Sequence, residues 1–325
     1  MVVSVRLSPP VYTLLLIVMI SLISMHIAVA ESSKTKPIVV CTTSVLASIV
    51  KDLAGDKVIV EVIASPSICP AHYDIRPSDV DKVGRADIVF YHGFEPWIKD
   101  LVRASGTKAP LINISGPWNT PDALKRMYIA VAHYLKQYLH IDVDQRLNEC
   151  LKAIDKTAKW LKDFAKEHGF IGKPVIVMQW QKKFVEYLGF DVVATFKPPE
   201  KVSAKEYEEL VKIGKEKGVL LVVDNLQSGT ELGKKLASEI GAVEVALTNF
   251  PGTAPGLNNM TQVMKFNALR LAEALKYAEI AGTAKEANKL RYEVDTWRTA
   301  FLASLSINIV LIACIALMIR KLRKG

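Results

Sequence analysis

DQRLNECLKAIDKTAKWLKDFAK, residues 144–166, decides how the rest of the chain is read. Leu147, Leu151, Ile154, Ala158, Leu161 and Ala165 recur at helical spacing, so one face of a long helix is apolar and the other is charged. On both sides of it the periodicity changes. Before it, residues 37–43 (PIVVCTT), 57–64, 87–91 and 111–114 read as short strands rich in β-branched side chains. Between them, helices are expected over 45–53 and from Pro77, with Ser78 as the N-cap. A helical region opens at Asn119-Thr-Pro-Asp122 and breaks near His140. After Gly172-Lys-Pro174 the alternation restarts, with strands over 175–178, 191–194, 219–223 and 243–247 and helices over 203–217, 229–239 and 259–278. Strand–helix alternation of this kind builds a mainly parallel sheet with helices on both faces. The expected fold is therefore α/β in two lobes, residues 37–143 and 173–280, joined by one long rigid helix over 144–168.

The ends set the expected compartment. Residues 1–30 have one basic residue, Arg6, then an apolar run closing on Ala28-Val-Ala30, the parts of a secretory signal peptide. Residues 300–319 are free of charge over about the length that crosses a bilayer. The basic tail 320–325, with Arg320, Lys321, Arg323 and Lys324, follows at once. Basic flanks stay cytoplasmic, so residues 300–319 are expected as a single transmembrane helix with the two lobes outside the cell. Between lobe and membrane, residues 281–299 are charged and proline-free and read as a helical stalk.

Composition excludes some functions. The formal charge is +9, but five of the 42 Lys and Arg lie in the two terminal segments, leaving 37 basic against 33 acidic residues. There is no basic block interleaved with aromatics, so nucleic acid is not an expected partner. Four cysteines, one of them Cys314 within the expected span, make no disulfide framework, although export would permit Cys41 and Cys69 to pair. There is no G-x-S-x-G elbow, P-loop, G-x-G-x-x-G fingerprint or H-E-x-x-H helix, so the chain is not expected to be an enzyme. Asn113-Ile-Ser115 and Asn259-Met-Thr261 fit the glycosylation pattern but carry little weight.

The order of motifs adds a resemblance. Val39-Val-Cys-Thr-Thr-Ser-Val-Leu-Ala47, Arg76-Pro-Ser-Asp-Val80, Ala86-Asp-Ile-Val-Phe-Tyr-His-Gly93, Glu95-Pro-Trp97, Asn225-Leu-Gln227 and Ile240-Gly-Ala242 stand in the chain as quoted. Together they resemble the extracytoplasmic zinc- and manganese-binding proteins of metal ABC importers (cluster A-I solute-binding proteins) over roughly residues 37–280. The resemblance implies two α/β lobes, a rigid helix between them, a divalent metal ion in the cleft (zinc favoured, manganese the other choice), and an ABC permease with its ATPase as partners. A monomeric receptor is expected, and because the linking helix resists bending along its length, its lobes are expected to tilt only slightly on capture.

The ligand set implied by the family is largely absent. The family's first histidine follows Asp-Pro and precedes Tyr; here the loop is Cys69-Pro-Ala-His72-Tyr73-Asp74, with His72 one place late. The second falls on Gly116, two residues before Trp118, the third on Gln179, and the acidic fourth on Thr248, beside Asn249. From the residues alone, His72, Cys69, Asp74 and Cys41 lie toward one sheet edge and are the candidate metal ligands, a thiolate and imidazole set suited to zinc. Cys41 and Cys69 read equally as buried small hydrophobes. His92 and Glu95 read first as a strand end and a helix cap. Trp118, Gln179, Trp180, Asn225, Gln227, Thr248 and Asn249 are expected to line the cleft, a neutral and aromatic set that suits a metal chelate or a small organic solute as well as a metal. A surface adhesion or sensing module with the same fold and no transport is the remaining alternative.

Overall fold

A computed structural model provides the structure; it describes Met19 and residues 36–322, with only the backbone described at residue 303 and residues 305–322. The segment 1–30, expected to be a signal peptide, lies outside the described residues apart from Met19. Side chains of the stretch expected to span the membrane are also largely outside them. Among the described residues no helix is long and apolar enough to cross a membrane.

Two four-stranded parallel sheets form. The first comprises β1 (Ile38–Cys41), β2 (Ile59–Val62), β3 (Ile88–Tyr91) and β4 (Leu111–Asn113), in the order β2-β1-β3-β4. The second repeats that order with β5 (Pro174–Met178), β6 (Asp191–Phe196), β7 (Leu221–Asn225) and β8 (Val243–Leu247) as β6-β5-β7-β8. Central strands are apolar on both faces, as parallel strands covered by helices must be. Val39, Val40 and Cys41 of β1 and Leu221, Val222 and Val223 of β7 have no solvent exposure.

Helices α1 (Ser44–Ala54), α2 (Pro77–Gly84), α3 (Ile98–Ser105) and α4 (Pro121–Leu139) surround the first sheet. Helix α5 (Asp144–Glu167) follows, and α6 (Lys182–Tyr187), α7 (Ala204–Glu216) and α8 (Glu231–Ile240) belong to the second half. The last helix, α9, runs unbroken from Met260 to Leu322. At 1.5 Å per residue it is roughly 95 Å long. Its first turns pack on the second lobe, and from residue 279 to 302 its side chains are exposed.

Ser78 is not the N-cap of α2. The cap is Arg76, because Pro77 brings a preset helical φ and no N–H to the first helical position. Asp79 closes the turn by accepting from the Arg76 N–H at 2.9 Å and the Tyr73 hydroxyl at 2.7 Å. The break near His140 is a left-handed residue, φ 54°, whose N–H ends α4 on the Leu135 carbonyl. Helices α3 and α6 do not stand out in the periodicity of the sequence; both are short and fill the crossover after β3 and β5.

One face of each sheet joins a single apolar layer. Val39 and Leu46 of the first half, Ile154, Leu161 and Phe164 of α5, Val175 and Val223 of the second half, and Met264 and Leu271 of α9 belong to one buried cluster. The opposite faces have separate small cores under α2 and α3 and under α7 and α8. A wide hinge motion would tear the shared layer, so the packing restricts the halves to small tilts.

Candidate functional site

In both sheets the strand order reverses beside the first strand, so the crevice for a ligand lies outside the carboxyl ends of the strands. The two carboxyl edges face each other. Between them is a cavity of about 320 Å³. Its walls come from the segments that follow strands: Cys69 to Ala71 after β2, Phe94 after β3, Gly116 to Asn119 after β4, Gln179, Trp180 and Lys183 after β5, Asn225, Gln227 and Ser228 at and after β7, and Asn249 and Phe250 after β8.

The aromatic wall is a stack anchored in the first half. His92 lies 4.4 Å from Trp118, centroid to centroid, and Phe94 lies 6.0 Å from the same indole. Phe250 approaches Trp118 from the second half at 5.8 Å. His92 is buried, and both ring nitrogens are occupied: Nδ1 is 3.2 Å from the Ile114 carbonyl and Nε2 is 2.8 Å from the Thr43 hydroxyl. A carbonyl only accepts, so Nδ1 carries the proton and Nε2 accepts from Thr43. Burial lowers the His92 pKa to about 4, against the opposing pull of Glu95 and the Ile114 carbonyl, so the ring is neutral at neutral pH. Glu95 holds the turn beneath it, accepting from the Thr42 hydroxyl at 2.5 Å and from the N–H groups of His92 and Gly93 at 3.0 and 2.9 Å. His92 and Glu95 thus build the floor under Trp118.

The polar wall comes from the second half. Gln227 donates to the Thr248 hydroxyl at 2.9 Å and accepts from the Asn249 N–H at 3.3 Å. Thr248 lies behind this layer, tied to Asn267 in both directions, and does not line the cavity. Four bonds tie the halves together around the cavity: Trp118 Nε1 to the Asn249 carbonyl at 2.9 Å, the Asn119 side-chain amide to the Trp180 carbonyl at 3.0 Å and to Asn249 Oδ1 at 3.5 Å, and Gln227 to the Pro66 carbonyl at 3.1 Å; within the second half, the Asn249 amide also donates to the Trp180 carbonyl at 3.3 Å.

The four candidate metal ligands do not come together. Cys41 is fully buried within the first sheet, and burial pushes its thiol well above the usual range, so it packs as a hydrophobe. His72 is exposed at the cleft mouth, with Nε2 3.7 Å from a Glu200 carboxylate of the other half. Asp74 is exposed, and Cys69 alone of the four lines the cavity. Cys41, Cys69 and Cys150 are free thiols. Among the described residues no group of three or more His, Cys, Asp or Glu is placed to hold a metal ion. Of the residues expected in the cleft, Trp118, Gln179, Trp180, Asn225, Gln227 and Asn249 line the cavity. Phe250, the start of a Gly- and Pro-rich stretch expected at the cleft rim, also lines the cavity, and Phe94, Asn119 and Lys183 are further lining residues that the sequence did not single out. Their signal was the same, a position just past a strand's carboxyl end.

Comparison with known proteins places this geometry. The family described as "Zinc-uptake complex component A periplasmic" (ZnuA) matches residues 39–274. The Metal ABC transporter substrate-binding lipoprotein SloC of Streptococcus mutans is 33% identical over 103 residues, 30% of this chain and 34% of the relative. The Manganese ABC transporter substrate-binding lipoprotein PsaA of Streptococcus pneumoniae is 38% identical over 80 residues, 23% of this chain and 26% of the relative. The chain thus matches about a third or less of the length of these curated relatives. Among solved structures, the periplasmic zinc binding protein TroA from Treponema pallidum superposes with a TM-score of 0.64 at 17% identity, covering 74% of this chain and 99% of that one. That likeness establishes the fold.

Proposed function

The chain belongs to the family of periplasmic zinc-uptake complex component A, and from that premise we propose that it is the extracytoplasmic solute-binding receptor of a metal ABC importer. The observation that carries the reading is the cavity closed between the carboxyl edges of two parallel sheets, the place where such a fold takes a ligand. The receptor is a capture protein and not an enzyme: it holds its solute between the lobes and hands it to a permease driven by an ATPase. The cargo is a divalent metal. Relatives named for manganese and for zinc stand side by side, and zinc is the favoured ion here because the cleft offers a thiol, Cys69, and His72 at its mouth.

Residues 300–319 serve as the membrane tether, after a signal segment over 1–30, with the tail 320–325 in the cytoplasm and residues 281–299 as the stalk. Tethering raises the receptor's effective concentration at the permease without a new contact. The test is transport. Full-length chain reconstituted in liposomes with its permease and ATPase should drive ATP-dependent accumulation of zinc, supplied as the free ion or as an organic chelate. Accumulation that is the same without the chain would overturn the receptor role; accumulation of manganese in place of zinc would overturn the choice of ion alone.

A further inference from the structure

Among the described residues no Asp, Glu or His lines the cavity, and the one charged group there is the Lys183 ammonium at the rim. A bare divalent ion would find there a single thiol, carboxamides and a like charge, whereas zinc is held by about four nitrogen, sulfur or carboxylate ligands. The lining suits another shape of cargo. Trp118, Trp180, Phe94 and Phe250 line the space, and aromatic surfaces take flat apolar bodies. Hydrogen-bond capacity is left over around them. Asn225 spends its Oδ1 on the Gln227 N–H and the Ser228 hydroxyl, and among the described residues its Nδ2 has no partner. The Gln179 carboxamide has none either, and both face the cavity with Lys183. Spare donors and one cation around an aromatic box select oxygen-bearing, acidic groups.

We propose that the cleft binds a planar, acid-bearing organic ligand, and that metal enters it wrapped in that ligand and not as a bare ion. The proposal rests on the receptor reading above. It is tested on the full chain in detergent, stripped of metal, by quenching of tryptophan fluorescence with three probes: zinc chloride, dipicolinate, and the one-to-one zinc–dipicolinate complex. Saturable quenching by dipicolinate or its zinc complex is expected, with affinity falling at least about tenfold in Trp180→Ala and in Lys183→Glu. Quenching by the complex alone identifies a chelate receptor; quenching by both identifies the organic molecule as the recognised part. Saturable binding of zinc chloride, unaffected by either substitution, would overturn the proposal and leave the receptor reading standing. No saturable quenching by any probe would also overturn it, and zinc transport in liposomes would then decide the receptor reading by itself.

A second inference comes from the exposed part of α9. Ile280, Thr283, Ala287, Leu290, Val294, Trp297 and Phe301 follow one another at alternating steps of three and four, all exposed, with Leu290, Val294, Trp297 and Phe301 each more than half so. That is a coiled-coil seam, with Ile280, Ala287, Val294 and Phe301 at a and Thr283, Leu290 and Trp297 at d. An interfacial aromatic anchor would account for Trp297 and Phe301. It would not account for Leu290, roughly 10 Å further up the helix, or for Ile280 beyond it.

The flanking charges name the occupant. The g positions carry Glu286 and Glu293 and the e positions Arg291 and Arg298. In a parallel pair of this chain each g residue meets the e residue five further on in the partner helix, giving Glu286 with Arg291 and Glu293 with Arg298, twice over by symmetry. An antiparallel pair would set Glu against Glu and Arg against Arg. Among the described residues of its own helix only Glu293 of these four has an ion-pair partner, Lys289 at 4.0 Å. Two chains tethered in one membrane by residues 300–319 present their stalks in parallel.

The geometry points to a second copy of this chain as the occupant of the seam, so that the stalks zip next to the membrane while the lobes stand apart. The test is oxidative cross-linking of full-length chain in membranes lacking the permease. Val294→Cys should give at least about tenfold more disulfide-linked dimer than Tyr292→Cys, which faces away from the seam. Adding Glu286→Arg and Glu293→Arg should abolish the cross-link, and further adding Arg291→Glu and Arg298→Glu should restore it. Equal cross-linking at 292 and 294, no dimer at either, or a dimer indifferent to the charge reversal would overturn the zipper. A Val294→Cys cross-link formed only to the permease once it is present would assign the seam to that partner instead.

Discussion

Asp224→Asn should raise the melting temperature at pH 8 and lose that advantage as the pH falls toward 4. Asp224 lies one residue before the end of the buried strand β7 at 1% exposure, and among the described residues neither carboxylate oxygen has a hydrogen-bond partner. Helix α8 presses on it so closely that a Cβ added to Gly233 would lie within van der Waals overlap of Oδ2, which is why that position has no side chain. Burial first, and the Glu244 charge second, push the Asp224 pKa up to about 8, with Lys234 opposing. The folded state therefore keeps a proton that the unfolded chain gives up near pH 3.9. Between those values the unfolded state is favoured more with each rise in pH, by about 1.4 kcal/mol per unit. The stability is fully present below pH 4 and is lost progressively up to pH 8. Asn carries no such linkage and offers an N–H to Glu244, so a gain of about 2–5 kcal/mol at pH 8 is expected, shrinking to near zero at pH 4. Melting curves of the full chain in detergent across that range check it; wild type and variant running parallel throughout would show that Asp224 is ionised in the fold.

Trp118→Ala should cost about 3–5 kcal/mol and remove solute capture at the same time. The indole is where the two halves meet: it lies on His92 and Phe94, touches Phe250 and donates to the Asn249 carbonyl. Truncation opens a void between lobes and leaves that carbonyl unpaired. Trp118→Phe keeps the stacking and loses only the hydrogen bond, so its cost should be near 1 kcal/mol. The contrast between the two variants, read as melting temperature and as tryptophan-independent uptake in liposomes, separates the stack from the bond. Equal losses in both would mean that the hydrogen bond alone holds the interface.

Much of the cleft wall was legible through the family resemblance, which set motif positions just past the strands. Gln179 follows the expected strand 175–178, Asn225 comes two residues after 219–223, and Asn249 two after 243–247, and the resemblance put all three near the cleft. Thr248 was placed there by the same reasoning, yet its side chain turns inward to Gln227 and the Phe250 backbone. Adjacent residues past a strand point in opposite directions, and the choice depends on what each can bond to. His72, Cys69, Asp74 and Cys41 share an edge in the sequence reading and separate in space for a like reason. Cys41 is inside the sheet, His72 turns to Glu200 on the other half, and only Cys69 reaches the cavity. Asp224 was missed because a carboxylate ends the apparent apolar run, and the strand was cut at Val223. The structure continues it two residues further, at the expense of burying an acid.

What the sequence by itself determined is local and periodic: eight short strands, the long helix after Val143, and the charged helix that leads to the terminal apolar stretch. Hydrophobic spacing of two or 3.6 residues specifies which face of an element is buried, and that depends on neighbours along the chain alone. Tertiary structure decided what the cleft is made of. Whether a loop side chain enters the cavity, braces the wall behind it or crosses to the other lobe depends on hydrogen-bond partners as much as 161 residues away, as Gln227 and Pro66 are. Packing of the two halves against α5 and α9 brings those partners within reach, and only then does the cavity acquire its aromatic, acid-free lining.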